Sequence, residues 1–168
     1  MLVARVGGIH ARPHSEASTM APDFMRLQLT SPDFGPEERL ADAFTQSGEN
    51  RTPRLEVTGI PQGTAELAII VHDPDAPRPH GFTHWTLYGL PAQDGPIVPD
   101  EGRPGPNDAG GIGYTGPKPP SGHGVHHYFF FVYALSRPVA GAPSRLDFLD
   151  GYADAVLAVS RLVGTYSN

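Results

Sequence analysis

The chain has 168 residues, a formal net charge of −6 and no cysteine. This length fits one domain with a sizeable core, and 12 lysines and arginines without a basic cluster argue against nucleic acid as a partner. The lack of cysteine excludes disulfides, thiolate metal sites and a cysteine nucleophile, and no apolar run has the length of an integral membrane segment.

The first part of the chain lacks a regular pattern. Residues 1–20 show neither strand nor helix periodicity and are predicted to form a flexible N-terminal arm, with residues 21–168 forming the single domain. The arm does not have the continuous apolar core and small-residue cleavage site of a secretory signal, so a cytoplasmic location is expected.

Strands dominate the predicted elements up to residue 135. The alternation of MRLQLTS (25–31) predicts a half-buried strand, PRLEV (53–57) predicts a second, and ELAIIV (66–71) reads as a fully buried one. In FTHWTLY (82–88), alternation puts His84 on one face with Phe82, Thr86 and Tyr88. The run VHHYFFFVYAL (125–135) is the strongest predicted strand because it is rich in aromatic and β-branched residues.

Two other segments have different patterns. Residues 92–124 are dense in glycine and proline and predict a long irregular loop, which in a compact domain is usually functional. From Leu146 to Tyr166, apolar residues recur at helical spacing and predict a terminal amphipathic helix. Strands first and a helix last indicate a mainly β fold with antiparallel pairing and a C-terminal α-helix.

Titratable residues cluster at the ends of the apolar strands. Strand parity continued from ELAIIV places Asp73 and Asp75 on one side, and parity along the strand from 125 places His126 with Tyr128 and turns His127 the other way. Together with His84, these side chains have the composition of a small polar pocket. The alternative is a surface turn with solvated aspartates and histidines hydrogen-bonded at strand edges.

No motif for a known catalytic or cofactor site is present. The sequence lacks HExxH, P-loop, GxSxG and dinucleotide-binding patterns, so no cofactor is predicted. Ser121 lies near histidines, but a serine in such a loop is far more often a turn residue than a nucleophile. Histidine and aspartate suit zinc-like ions, yet their spacing matches no recognised ligand pattern, and no metal site is assigned.

Four ordered motifs are similar to those of the phosphatidylethanolamine-binding protein family, in its bacterial Raf kinase inhibitor-like branch. They are DPDAP, THW about ten residues later, GYTGPKPPSGHGVHHY and the terminal LVGTY, and SGENRTP (47–53) resembles the family segment before the core strands. The match covers roughly residues 25–166.

The resemblance implies two antiparallel β-sheets with peripheral helices and a pocket for phosphate-like anions or phospholipid head groups. Carried over by position, the ligand-binding residues are Asp73, Asp75, Pro77, His84, Gly116, Pro117, His126 and Tyr128. Pro77 would shape the loop, and Gly116 and Pro117 would form part of the rim. The sequence departs from the family where His127 replaces a common arginine.

Three functions agree with these residues. The leading one is a non-enzymatic binding protein for a small anionic or zwitterionic ligand such as phosphoethanolamine, with a regulatory role towards kinase or protease partners. The second is a hydrolase or metal-assisted enzyme that uses His84, His126 and Asp73. The third is an interaction scaffold with a vestigial pocket. The resemblance also implies a homodimer, because bacterial relatives often dimerise.

Overall fold

The computed structural model describes residues 27–168, and in that range it has eight strands and one α-helix. The strands are β1 (Gln28–Thr30), β2 (Glu56–Thr58), β3 (Glu66–Asp73), β4 (Phe82–Leu90), β5 (Gly95–Pro96), β6 (Arg103–Pro104), β7 (His126–Leu135) and β8 (Val156–Tyr166). The helix α1 spans Arg145–Tyr152, and short 3₁₀ turns lie at Asp42–Phe44, Pro99–Glu101 and Ala153–Ala155.

The strands form two antiparallel sheets, which confirms the predicted fold class. The small sheet has the order β1-β2-β5, and the large sheet has the order β6-β4-β3-β7-β8. Strand β3 lies at the centre of the large sheet, and all eight of its residues are buried. Its continuous apolar run is the pattern expected when both faces of a strand are covered.

The large sheet separates two apolar clusters. One lies between the sheets and includes Leu29 and Val57 from the small sheet with Ile69 and Phe130 from the large one. The other lies between the opposite face of the large sheet and α1, where Phe148 of the helix packs near Tyr88. The fold therefore has three layers, and the large sheet supplies a face to each cluster.

The predicted terminal helix is correct at its start and wrong in its length. Helix α1 begins after Ser144, whose hydroxyl accepts a hydrogen bond from the Asp147 amide, and it ends at Tyr152. Residues 156–166 form strand β8 and pair with β7 from His126↔Tyr166 to Leu135↔Val156. Their apolar spacing fits a helix and a half-buried strand alike, and pairing with the edge of β7 favours the strand.

A bulge changes the faces of β4 from those predicted. Val71 pairs with Trp85 and His72 pairs with Thr83, so His84 is an extra residue in its strand. Beyond the bulge, Trp85 packs in the cluster between the sheets, whereas Tyr88 packs against the helix. His84 and Tyr88 therefore do not share a face.

Within residues 27–168, no helix has the length and apolar content needed to cross a membrane. The predicted arm, residues 1–20, lies outside the described residues.

Candidate functional site

A cavity of about 420 Å³ opens where β3 ends and β4 and β7 begin. These ends meet because β3 pairs antiparallel with both neighbours. Two segments complete the walls, and we call them the aspartate loop (residues 74–81) and the rim loop (residues 105–125). The cavity is lined by Gln46, Asp73, Ala76, Pro77, Arg78, Phe82, His84, Asp108, Ala109, Gly116, Lys118, Pro119, Pro120, His126 and Tyr128.

Asp73 is the buried acceptor at the base of the cavity. Its Oδ1 accepts a hydrogen bond from the Asp75 amide at 2.7 Å, which turns the chain at the end of β3. Its Oδ2 lies 2.7 Å from His126 Nδ1, and both side chains are almost fully buried. Since a carboxylate only accepts, His126 Nδ1 carries the proton of this contact. Asp73 therefore fixes the orientation of the His126 ring.

The second nitrogen of His126 has a partner that the sequence did not predict. His126 Nε2 lies 2.6 Å from Nδ1 of His123, an exposed residue of the rim loop. Asp73, His126 and His123 thus form one hydrogen-bonded chain from the end of β3 to the protein surface.

His84 is oriented by the backbone of the rim loop. Its Nδ1 lies 2.8 Å from the Thr115 carbonyl oxygen, so Nδ1 is the protonated nitrogen and Nε2 is left for other interactions. Burial lowers the pKa of His84 below its ordinary value, although the hydrogen bond to Thr115 opposes this. A neutral His84 therefore offers an acceptor at Nε2, and it donates there only after protonation.

Aromatic groups form the apolar part of the wall. The His84 ring lies 5.1 Å from the Tyr128 ring in an edge-on arrangement and 4.6 Å from the Phe82 ring. Burial raises the pKa of Tyr128, and the negative charge of Asp73 adds to the effect. The Tyr128 hydroxyl therefore stays protonated at neutral pH and is available as a donor.

Charges of both signs lie around the opening. Arg78 and Lys118 are exposed cations, and the Arg78 guanidinium lies 4.9 Å from the centre of the Phe82 ring. Asp108 is the acidic residue of the opening, and its Oδ2 accepts a hydrogen bond from the Thr83 amide at 2.7 Å. The rim thus provides attraction for an anionic group and for a cationic group.

The rim at Gly116 is held rigidly by residues 44–50. A Cβ added at Gly116 would lie 2.0 Å from the Phe44 carbonyl oxygen, so only glycine fits there. The Gly116 amide donates to Asn50 Oδ1 at 2.7 Å, and the Gln46 amide donates to the Pro117 carbonyl at 3.0 Å. The Gly116 amide is therefore already hydrogen-bonded within the protein.

The structure brings six of the eight predicted ligand-binding residues to the cavity. These are Asp73, Pro77, His84, Gly116, His126 and Tyr128. Asp75 and Pro117 are not among the lining residues. Pro117 is buried beside the rim, and the Asp75 carboxylate accepts hydrogen bonds from the His127 amide and His127 Nδ1 at 2.8 and 2.7 Å.

The parity prediction for β7 is confirmed. His126 and Tyr128 are buried and line the cavity, whereas His127 is half-buried and contacts Asp75 outside it. The predicted extended path through Asp75 is wrong because the chain turns at Asp73.

Several residues of the site were missed by sequence reasoning. Gln46, Arg78, Asp108 and Lys118 line the cavity from loops, where no periodicity predicts side-chain direction. Arg78 directly follows the motif DPDAP, so nearness to that motif was the available signal. Lys118 and His123 lie within the motif GYTGPKPPSGHGVHHY, which was the signal for them.

Among residues 27–168, no group of three or more histidine, aspartate or glutamate side chains is arranged to hold a metal ion. None of the described residues that line the cavity is serine, threonine or cysteine.

Comparison with known proteins gives consistent matches. The sequence matches the family described as phosphatidylethanolamine-binding protein over residues 30–167. It is 37% identical over 151 residues to a UPF0098 protein of Aquifex aeolicus, covering 83% of this chain and 88% of the relative. It is 38% identical over 151 residues to a UPF0098 protein of Methanothermobacter thermautotrophicus, covering 83% of this chain and 98% of the relative.

Among solved structures, the fold is similar to that of Escherichia coli YbcL, described as a new member of the mammalian PEBP family. The TM-score is 0.78 at 30% sequence identity, and the match covers 85% of this chain and 99% of YbcL.

Proposed function

The chain belongs to the phosphatidylethanolamine-binding protein family, and from the geometry of its cavity we propose that it binds a small anionic or zwitterionic ligand with a phosphate-like group, such as phosphoethanolamine. Family membership makes it a ligand-binding protein. The finer identity of the ligand is inferred from the side chains of the cavity.

The observation that carries this proposal is the convergence of oriented hydrogen-bonding groups on one small cavity. Asp73 fixes the His126 ring, the Thr115 carbonyl fixes the His84 ring, and Tyr128 keeps its hydroxyl proton. Groups held in place before binding lose little conformational entropy when the ligand enters. Phosphate oxygens accept hydrogen bonds from the Tyr128 hydroxyl and from protonated imidazoles, and charge-assisted bonds of this kind are the stronger ones.

The mixed charge of the opening favours a zwitterion over a simple anion. Arg78 and Lys118 attract the phosphate, while Asp108 supplies an acceptor for an ammonium group. His84 adds to this preference, because its neutral ring accepts a hydrogen bond from an ammonium group or from a protonated phosphate.

Calorimetric titration with phosphoethanolamine tests the proposal through two neighbouring histidines. Loss of a charge-assisted hydrogen bond costs about 1.5 to 3 kcal/mol, so His126→Ala should weaken binding by about ten-fold or more. His127→Ala is the matched control and should change binding little, since its side chain is outside the cavity and its amide keeps the bond to Asp75. Equal affinity of the wild type and His126→Ala would refute the proposal.

The enzymatic alternative is tested on the same samples. The Asp73–His126 pair resembles a general base with its orienting carboxylate, but the lining residues include no hydroxyl or thiol nucleophile other than the Tyr128 phenol. Hydrolysis of ester or phosphate substrates that is lost in His126→Ala would favour this alternative. Regulation of kinase or protease partners, a homodimer and a cytoplasmic location stay predictions, testable by affinity capture, sedimentation and cell fractionation.

A further inference from the structure

The contact between His123 and His126 places a second imidazole on the nitrogen that faces a ligand. His126 Nδ1 is committed to Asp73, so Nε2 is the nitrogen of this ring that remains for binding. In the structure His123 Nδ1 lies 2.6 Å from that atom. A ligand oxygen that takes a hydrogen bond from His126 Nε2 must therefore displace His123.

We propose that His123 is a movable cap on His126, which competes with the ligand for Nε2 and thereby limits the affinity of the cavity. This inference rests on the proposed function, because it concerns the same cavity.

The local backbone is suited to such movement. His123 is exposed and lies between Gly122 and Gly124, which have φ values of 74° and 87°. A Cβ at either glycine would meet nothing within 4 Å, so the segment does not pack against the core. The His123 amide donates to the Pro120 carbonyl at 3.1 Å, within the same turn. The cap can therefore swing away without disturbing buried side chains.

The His123–His126 contact depends on a single shared proton. One ring must donate and the other must accept, so the contact exists only while one of the two facing nitrogens is unprotonated. When both rings are protonated, two N–H groups and two positive charges face each other and the cap is released. Release of the cap leaves the His126 Nε2–H donor to an anion.

Charged and titratable groups on the neighbouring elements also contribute to the electrostatic environment of the His123–His126 pair. Those at the cavity are Asp73, Arg78, His84, Asp108, Lys118 and Tyr128. They are unchanged in variants of His123, so comparison of such variants isolates the contribution of the cap.

The test compares His123→Ala and His123→Asn with the wild type by titration with phosphoethanolamine. One hydrogen bond of ordinary net strength corresponds to about five-fold in affinity, so at about pH 7.5 His123→Ala should bind about five-fold more tightly. His123→Asn keeps a side-chain amide oxygen that can accept a hydrogen bond from Nε2–H, and it should bind like the wild type. Ser121→Ala controls for a substitution in the same loop and should have no effect.

Comparison of the two variants gives a second readout. His123→Asn keeps a side chain that can occupy Nε2, so it should bind more weakly than His123→Ala. Weaker binding by His123→Ala at about pH 7.5 would show that His123 holds the ligand directly, and unchanged binding would show that it has no role.

Failure of this inference is distinguishable from failure of the proposed function. If the wild type binds and His126→Ala does not, the function stands and the two variants of His123 test the cap. If no protein binds phosphoethanolamine, the proposed function fails, and nitrogen NMR of the His126 ring still tests the contact. A His126 Nε2 resonance that is the same in the wild type and in His123→Ala would overturn the inference.

Discussion

We expect His72 to make the folded protein sensitive to mild acid. Its ring lies on the face of β3 opposite the cavity, is 6% exposed, and has Nδ1 3.2 Å from the Thr83 hydroxyl oxygen. Burial, followed by the positive charge of Arg145, lowers the pKa of His72 to about 4, and the charge of Asp108 only partly opposes the effect.

The sign and size of this loss of stability follow from the linkage between protonation of His72 and folding. An unfolded chain has a histidine pKa of about 6.5, so below that pH it binds a proton that the folded protein does not accept until about pH 4. Stability is therefore fully present above about pH 6.5 and falls as the pH decreases. Between about pH 7.5 and about pH 5, the loss attributable to this residue is about 2 kcal/mol.

Urea unfolding of the wild type and His72→Asn at both pH values measures this loss. Asparagine keeps a polar group for the Thr83 hydroxyl and does not titrate, so the wild type should lose about 2 kcal/mol more than the variant. His80→Asn removes a histidine with an exposed ring and serves as the control. Equal losses in the wild type and His72→Asn would refute the assignment to His72.

Three further predictions concern the arm, the cavity and its rim. Deletion of residues 1–20 should leave the melting temperature unchanged, because the family match begins at residue 30; a large decrease would contradict this. Sulfate, which does not titrate between about pH 5 and about pH 8.5, should gain a hydrogen bond from His84 only below the ordinary histidine range, because burial lowers the pKa of His84; a gain in affinity above about pH 6.5 that His84→Ala abolishes in calorimetry would count against it. Gly116→Ala should lower stability in urea by about 1 to 3 kcal/mol, because its Cβ meets the Phe44 carbonyl, whereas Gly111→Ala has room and should not.

Strand β7 was predictable because one face of it is buried along its whole length. Its residues alternate between buried and half-buried from His126 to Ala134, and a shift of one residue would move every large side chain to the wrong face. This is why parity alone separated His126 from His127. In β4 the same reasoning failed at His84, because a bulge depends on pairing with β3 and leaves no mark in the sequence.

The C-terminal strand shows the limit of apolar spacing. Leu149, Val156 and Val163 fit a helical period, yet residues 156–166 also alternate between exposed and half-buried over Val156–Arg161. The sequence of an isolated segment does not distinguish a helix from a strand here. In the folded protein, the edge of β7 offers backbone hydrogen bonds to this segment, and pairing with it favours the strand. Loop residues were less predictable still. Arg78, Lys118 and His123 reach the site through turns in which neither period applies, and only their positions within or directly beside the family-like motifs indicated a role.

The position of His127 explains how the cavity tolerates a departure from the usual family arginine. Two aspartate–histidine pairs join β7 to the start of the aspartate loop, with Asp73–His126 inside the cavity and Asp75–His127 outside it. Partial burial would raise the pKa of Asp75, but hydrogen bonds from the side chain and amide of His127 lower it below its ordinary value. Asp75 is thus held as a carboxylate by a donor that an arginine side chain would also provide. Because the amide part of this contact is independent of the side chain at position 127, the loop keeps its place against β7, and the inner pair keeps the orientation that the proposed ligand binding requires.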